Sequence, residues 1–206
     1  MPNVAAGDIV RHGLVFNPKS KMPIDDIRSA VEGLFDEFDR ESIDYVLVGG
    51  VALLSFVEGR NTQDVDLIIN VSDVDRMPWN ARVLDGNFAE ATFRGVHVDL
   101  LLSSNALFDE VRRTERAPVA FGERTITCAT REGLLLLKLY ALPSLYRQHK
   151  LARAALYETD ILMLHQGVDV DDRRLLNRLR PHLAAHDVAE LENILREQSQ
   201  RKRFAE

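Results

Sequence analysis

Apolar residues at Ile24, Ile27, Val31, Leu34, Phe35 and Phe38 recur at helical spacing, which predicts a helix from Ile24 to Phe38. Asp25 and Asp26 suit its first turn. The run Tyr45-Val46-Leu47-Val48 is continuous and β-branched, as a buried strand is, and it stops at Gly49-Gly50. Val51 to Val57 has helical character. After Gly59-Arg60-Asn61 a second strand is expected from Asp64 to Ile69. Ser72-Asp73-Val74-Asp75 reads as a helix start within residues 71–82, with Pro78 ending it. Ala91–Phe93 and Val96–Leu102 read as a hairpin around Arg94-Gly95. A short helix is expected at Ala106–Arg113, then strands at Val119–Phe121 and Thr125–Cys128 around Gly122. From Arg131 the pattern is helical, at about 131–142, 149–166, 171–180 and 187–204, punctuated by Pro143, Gly167 and Pro181.

The fold class is therefore α/β (α+β): a small mixed, twisted sheet with flanking helices, then a C-terminal helical bundle. Two regions are expected, 1–130 and 131–206, with residues 1–22 as an arm that shows no regular period.

Composition narrows the setting. The net charge is −6, which argues against gross attraction to nucleic acid. The charge is uneven. Residues 140–206 hold 11 Lys+Arg against 10 Asp+Glu, so the net negative charge lies before them. The single cysteine, Cys128, cannot form an internal disulfide, and there is no hydrophobic signal core. Lys138 interrupts the longest apolar run, so no membrane span is expected. A cytoplasmic location follows as the expectation.

Asp64 and Asp66 are two apart on a strand, so they aim at one face with Cα atoms about 7 Å apart. Two carboxylates converging on one spot are tolerated best with a cation between them. Gly49-Gly50 lets the backbone turn sharply and approach a ligand closely, at a helix start whose free N–H groups attract phosphate. Asp99 sits in another apolar run, Val96 to Leu101. It reads as a further ligand, or as a structural acid paired with Arg94. Lys138 in a leucine-rich helix is either a snorkelling lysine or a compact charge for phosphate, and Asp160 could cap or orient it. Arg60 reads as a loop charge or a phosphate fork. Arg173, Arg174, Arg178 and Arg180 read as a solvated helix face, or as contacts to an RNA backbone. His97 reads as structural and Cys128 as core.

Gly-Gly at a strand-to-helix turn followed by Asp-hydrophobic-Asp on the next strand resembles the signature of the polymerase-β-like nucleotidyltransferases. Here that is Gly49, Gly50, Asp64 and Asp66, with Asp99 as the third acid. Arg60-x-Thr62-x-Asp64 is similar to a version found in small prokaryotic members. Leu134 to Ala141 around Lys138, and Thr159-Asp160-Ile161-Leu162, resemble the paired helical segments of AbiEii-type toxin nucleotidyltransferases, over about residues 40 to 166. The resemblance implies an enzyme that moves an NMP from an NTP to an acceptor hydroxyl. It implies Mg²⁺ as cofactor, two ions with Mn²⁺ as an alternative, held by Asp64, Asp66 and Asp99. Gly49, Gly50, Arg60 and Lys138 would then bind nucleotide. Lys138 and Asp160 would join the three acids as catalytic residues. A tRNA acceptor and a cognate antitoxin protein are implied partners. Other readings are a protein or an aminoglycoside-like small molecule as acceptor, or a catalytically silent nucleotide- or partner-binding module.

Overall fold

The computed structural model describes residues 24–57, 64–77, 79 and 81–205, with the backbone alone at 24–28 and 200–205. The chain divides into two units between Thr130 and Arg131.

In the first unit, helix α1 (Ile24–Arg40) lays Val31, Leu34, Phe35 and Phe38 into the core. Phe35 stacks on Tyr45 of strand β1 (Tyr45–Val48) at 5.2 Å between ring centroids and meets Phe121 edge-on at 5.5 Å. Phe38, Trp79 and Phe93 extend this aromatic cluster. Burial pushes the Tyr45 phenol far above its ordinary range. After β1 come helix α2 (Gly49–Leu53) and strand β2 (Val65–Ile69). Next are a 3₁₀ helix at Val71–Arg76 and strands β3 (Arg82–Asp85), β4 (Phe88–Phe93) and β5 (Val96–Leu102). Helix α3 (Ala106–Thr114) and strands β6 (Arg116–Phe121) and β7 (Arg124–Ala129) complete the unit.

The strands form a seven-stranded mixed sheet in the order β3-β4-β5-β2-β1-β7-β6. The expected mixed sheet with flanking helices is present. β2 runs parallel to β5 and β1 parallel to β7, while the other neighbours are antiparallel. β4 and β5 are joined at Arg94-Gly95, both with positive φ (46° and 86°). Such a two-residue turn matches the twist of a hairpin.

The sheet's two faces differ. Leu47, Leu67, Val98 and Leu100 sit on one face, each at most 1% exposed. On the other face, Phe88, Leu101, Ile68 and Val46 stand opposite one another on four neighbouring strands. Helix α3 packs here, with Phe108 meeting Phe88 edge-on at 5.5 Å.

The second unit comprises α4 (Arg131–Arg147), α5 (Leu151–Leu164), α6 (Asp172–Leu179) and α7 (Ala185–Ala205). Pro143 does not end its helix. It lies buried inside α4, which continues to Arg147. Proline's fixed φ is compatible with helix, and the core contact offsets the one lost N–H bond. Strand β3 lies where the sequence pattern predicts no element, beyond the helix that Pro78 was expected to end. The 3₁₀ segment stops at Arg76, and Arg82–Asp85 pairs with β4 as an exposed edge.

Asp44, just before β1, accepts a fork from Arg116 (2.7 and 2.9 Å) and a further bond from Arg112 (2.9 Å). The Arg116 hydrogen bond, chiefly, holds its carboxyl below the ordinary 3.8. Because the folded value is the lower one, its stabilisation is complete above 3.8 and is lost as pH falls through the folded value. The carboxylate is 45% exposed, so Asp44→Asn should cost less than about 1 kcal/mol at pH 7. In urea titrations the gap between wild type and variant should close as pH drops below 4; a gap independent of pH would contradict the ion-pair origin.

Candidate functional site

Two residues along each strand from the apolar row under α3, a second row crosses the same face: Val48, Asp66, Asp99 and Glu90. Each residue is the direct partner of the next. Neighbouring strands lie about 4.8 Å apart, so Asp66 and Asp99 are adjacent carboxylates, with Glu90 beyond Asp99. All three are half-buried. Asp64 directly precedes β2 and is also half-buried.

Gly49 explains how Asp66 is held. The glycine has φ +63°, and a Cβ placed on it would collide with Oδ2, Cγ and Cβ of Asp66, the last at 2.7 Å. The Asp66 side chain thus lies directly against the turn that leaves β1. No side chain caps the start of α2. Alanine at this position would suffer both the left-handed strain and the overlap.

Asp99 accepts a hydrogen bond from the Nε2–H of His97 at 3.1 Å. It does not pair with Arg94, whose guanidinium lies over the Phe93 ring at 5.1 Å. Glu90 accepts from Arg82 Nε at 2.8 Å on the edge strand. Glu90 is not singled out by the sequence pattern, yet a signal exists. Counting back from the two-residue turn Arg94-Gly95 sets Thr92 opposite His97 and Glu90 opposite Asp99. Starting the strand at Ala91 stopped one residue short. His97, read as structural, lies on the same face as Asp99, because residues two apart on a strand share a face.

The donors along this row are carboxylate oxygens, which suit a hard divalent cation. Among the described residues no set of three or more His, Cys, Asp or Glu is gathered closely enough to hold a metal ion. What the register supplies is the pair Asp66 and Asp99, with Asp64 at the strand's entrance. Arg60 lies outside the described residues. Cys128 is buried and its thiol is pushed up to about 12 by that burial, so it stays protonated.

In the second unit, Lys138 (6% exposed) donates to Asp160 (0%) at 2.8 Å and lies 4.3 Å from the centre of the Tyr157 ring. The pair joins α4 to α5. Arg174 and Arg178 pair with Glu132, and Arg180 with Glu192. Arg173 lines a groove of about 460 Å³ with Leu176, Leu195 and Arg196, and none of the predicted site residues borders it.

No family model matches the sequence, and no curated protein does. Among solved structures, an antigenic nucleotidyltransferase-like protein from Paracoccidioides brasiliensis superposes with a TM-score of 0.51. It is 17% identical, with 80% of this chain and 93% of that one covered. The fold is thus nucleotidyltransferase-like. Two structures of ANT(2'')-Ia are also similar. The solution structure of this antibiotic-resistance factor has a TM-score of 0.48 and 12% identity, covering 88% of this chain and 97% of that one. A crystal structure in complex with adenylyl-2''-tobramycin has a TM-score of 0.47 and 12% identity, covering 84% and 98%. Among the described residues no helix is long and apolar enough to cross a membrane.

Two outcomes follow from this geometry. Gly49→Ala should cost about 2 kcal/mol or more, since left-handed φ alone costs about 1–2 kcal/mol in a residue with a Cβ. Chemical denaturation measures it, and wild-type stability would mean that the turn and Asp66 are not in contact. Lys138→Met should cost about 3 kcal/mol or more by breaking a buried ion pair. Lys138→Met/Asp160→Leu should recover most of that loss. If instead Lys138→Met keeps its melting temperature and loses only NTP affinity, Lys138 serves the nucleotide rather than the helix pair.

Proposed function

We propose that this chain is a divalent-cation-dependent nucleotidyltransferase. In the proposed reaction an acceptor hydroxyl oxygen bonds to the α-phosphorus of an NTP, the bond to pyrophosphate breaks, and the hydroxyl proton leaves. The observation that carries the reading is the acidic row: Asp66 and Asp99 in register on parallel strands, beside the Gly49 turn, on the part of the sheet face beyond the apolar row under α3. The nucleotidyltransferase-like fold is consistent with it.

Asp66 and Asp99 would hold the cation, Mg²⁺ or Mn²⁺, with Asp64 joining them once it turns in from the entrance of β2; the cation's chemistry is to offset charge on the triphosphate and the leaving pyrophosphate. Backbone N–H groups at Gly49 and Gly50 would meet phosphate oxygens, which needs the close approach that glycine permits. Asp99, at the end of the acid pair nearer the edge strand, would accept the proton of the acceptor hydroxyl. Arg60 would add a phosphate contact by its planar fork. Asp160 would fix Lys138 as a positioning partner within the second unit.

The acceptor is a separate question. The resemblance to toxin nucleotidyltransferases points to tRNA and a cognate antitoxin. Against RNA at the α6 face, Arg174, Arg178 and Arg180 are already engaged by Glu132 and Glu192. That observation favours a small hydroxyl-bearing acceptor, such as an amino sugar.

The test is transfer of label from α-³²P NTPs, offered total RNA and, separately, a panel of amino sugars, with Mg²⁺. Wild type should release pyrophosphate and label one acceptor class. Asp66→Asn should lose more than the about 100-fold typical of losing an outer-shell partner. Equal turnover in wild type and Asp66→Asn would refute the assignment, and absence of transfer to any acceptor would leave the silent-module reading in its place.

A further inference from the structure

We propose that His97 is a positioning residue for Asp99, fixing that carboxylate in the orientation in which it can share a cation with Asp66. The inference rests on the nucleotidyltransferase reading of the acidic row. It assigns a role to a side chain that this reading does not otherwise use.

Asp99 stands between two other acids. Its partner on one side is Asp66 and on the other Glu90. Like charges on residues paired across neighbouring strands repel. Each flanking acid has its own restraint. Asp66 is confined by the turn at Gly49, and Glu90 is held by Arg82 Nε at 2.8 Å. For Asp99 the restraint is His97, whose Nε2–H reaches Oδ1 at 3.1 Å.

An aspartate carboxylate has a broad, roughly two-fold terminal torsion. Without a donor, Asp99 would turn so as to relieve the repulsion from its neighbours. With Oδ1 engaged by the imidazole, the torsion is set and Oδ2 is left for a cation or for the acceptor proton. The donor is available because His97 and Asp99 alternate onto one face of β5, at the rim beyond the acidic row, where Thr92 faces His97. The two side chains are 41% and 37% exposed, so the contact sits in the open part of the face rather than in the core. A substitution at His97 therefore leaves the packed interior intact. Outer-shell partners that orient ligating carboxylates are worth about 10–100-fold in metal affinity.

The experiment is Mn²⁺ binding to the full chain, followed by the electron paramagnetic resonance signal of free Mn²⁺, with melting temperature as a check on folding. Four variants are compared with wild type: His97→Gln, His97→Asn, His97→Leu and Asp99→Asn. The Gln amide nitrogen can occupy the Nε2 position, whereas the shorter Asn cannot reach Asp99. His97→Gln should bind Mn²⁺ within about threefold of wild type, and His97→Leu and His97→Asn should bind about 10–100-fold more weakly at unchanged melting temperature. Should the Leu variant not fold, the Gln and Asn variants carry the comparison.

Wild-type affinity in His97→Asn or His97→Leu overturns the role of His97. So does an equal loss in Gln and Asn, which would mean that imidazole shape rather than donation matters. Direct ¹⁴N coupling to bound Mn²⁺ that disappears in His97→Gln would also overturn it, by making His97 a ligand. Asp99→Asn separates this inference from the reading beneath it. Unchanged Mn²⁺ affinity there refutes the metal reading of Asp99 itself. Weakened affinity in Asp99→Asn with none lost in the His97 variants refutes only the positioning role.

Discussion

The parallel pairing of β2 with β5 is the constraint on which the rest of the first unit depends. It sets Val65 beside Val98, Leu67 beside Leu100 and Ile69 beside Leu102, all buried. That same register sets Asp66 beside Asp99 on the opposite face. A slip of one residue would turn the acids into the core and expose the apolar set. The hydrophobic face thus holds in place two charges that would separate if free. The six side chains buried by this register, at about 1.5–3 kcal/mol each, together outweigh a repulsion of about 1–4 kcal/mol between two such carboxylates. Gly49 adds the local condition, since only a residue without a Cβ leaves room for the Asp66 side chain at the exit of β1.

The two units handle their acids in opposite ways. In the second, Asp160 is fully buried and meets a cation from its own chain, Lys138, with Tyr157 against the ammonium. Such a pair fixes the register of two helices. In the first, Asp66, Asp99 and Glu90 stand half-buried in one row, with Arg82 on Glu90 and His97 on Asp99. Carboxylate oxygens side by side on a sheet suit a hard divalent cation. The contrast argues for chemistry on the sheet and scaffolding in the helices.

Much of this was legible in the chain. Tyr45–Val48 and Val96–Leu102 stand where the apolar runs predict strands, and α1 starts at Ile24 as its spacing requires. The alternation in Asp64-Val65-Asp66 and Val98-Asp99-Leu100 marks which acids share a side. What could not be read is which strands meet. Asp66 and Asp99 lie 33 positions apart, and their adjacency comes from a parallel crossover that no local pattern encodes. Strand β3 was missed because its four residues are all exposed at an edge, where no buried face imposes a period of two. Pro143 misled because the cost of an internal proline is a local rule, while its burial in α4 is a tertiary fact. Glu90 and His97 were within reach, since the turn at Arg94-Gly95 fixes the hairpin register once the strand is extended to Phe88.

In the proposed site the Asp66–Asp99 pair receives a divalent cation together with a nucleoside triphosphate. The most direct measurement is the anomalous difference density of a crystal grown with Mn²⁺ and a non-hydrolysable NTP. The expected result is a peak bridging the carboxylates of Asp66 and Asp99, with phosphate oxygens on its far side close to Gly49 and Gly50. Bound nucleotide with Mn²⁺ located away from both aspartates would contradict it.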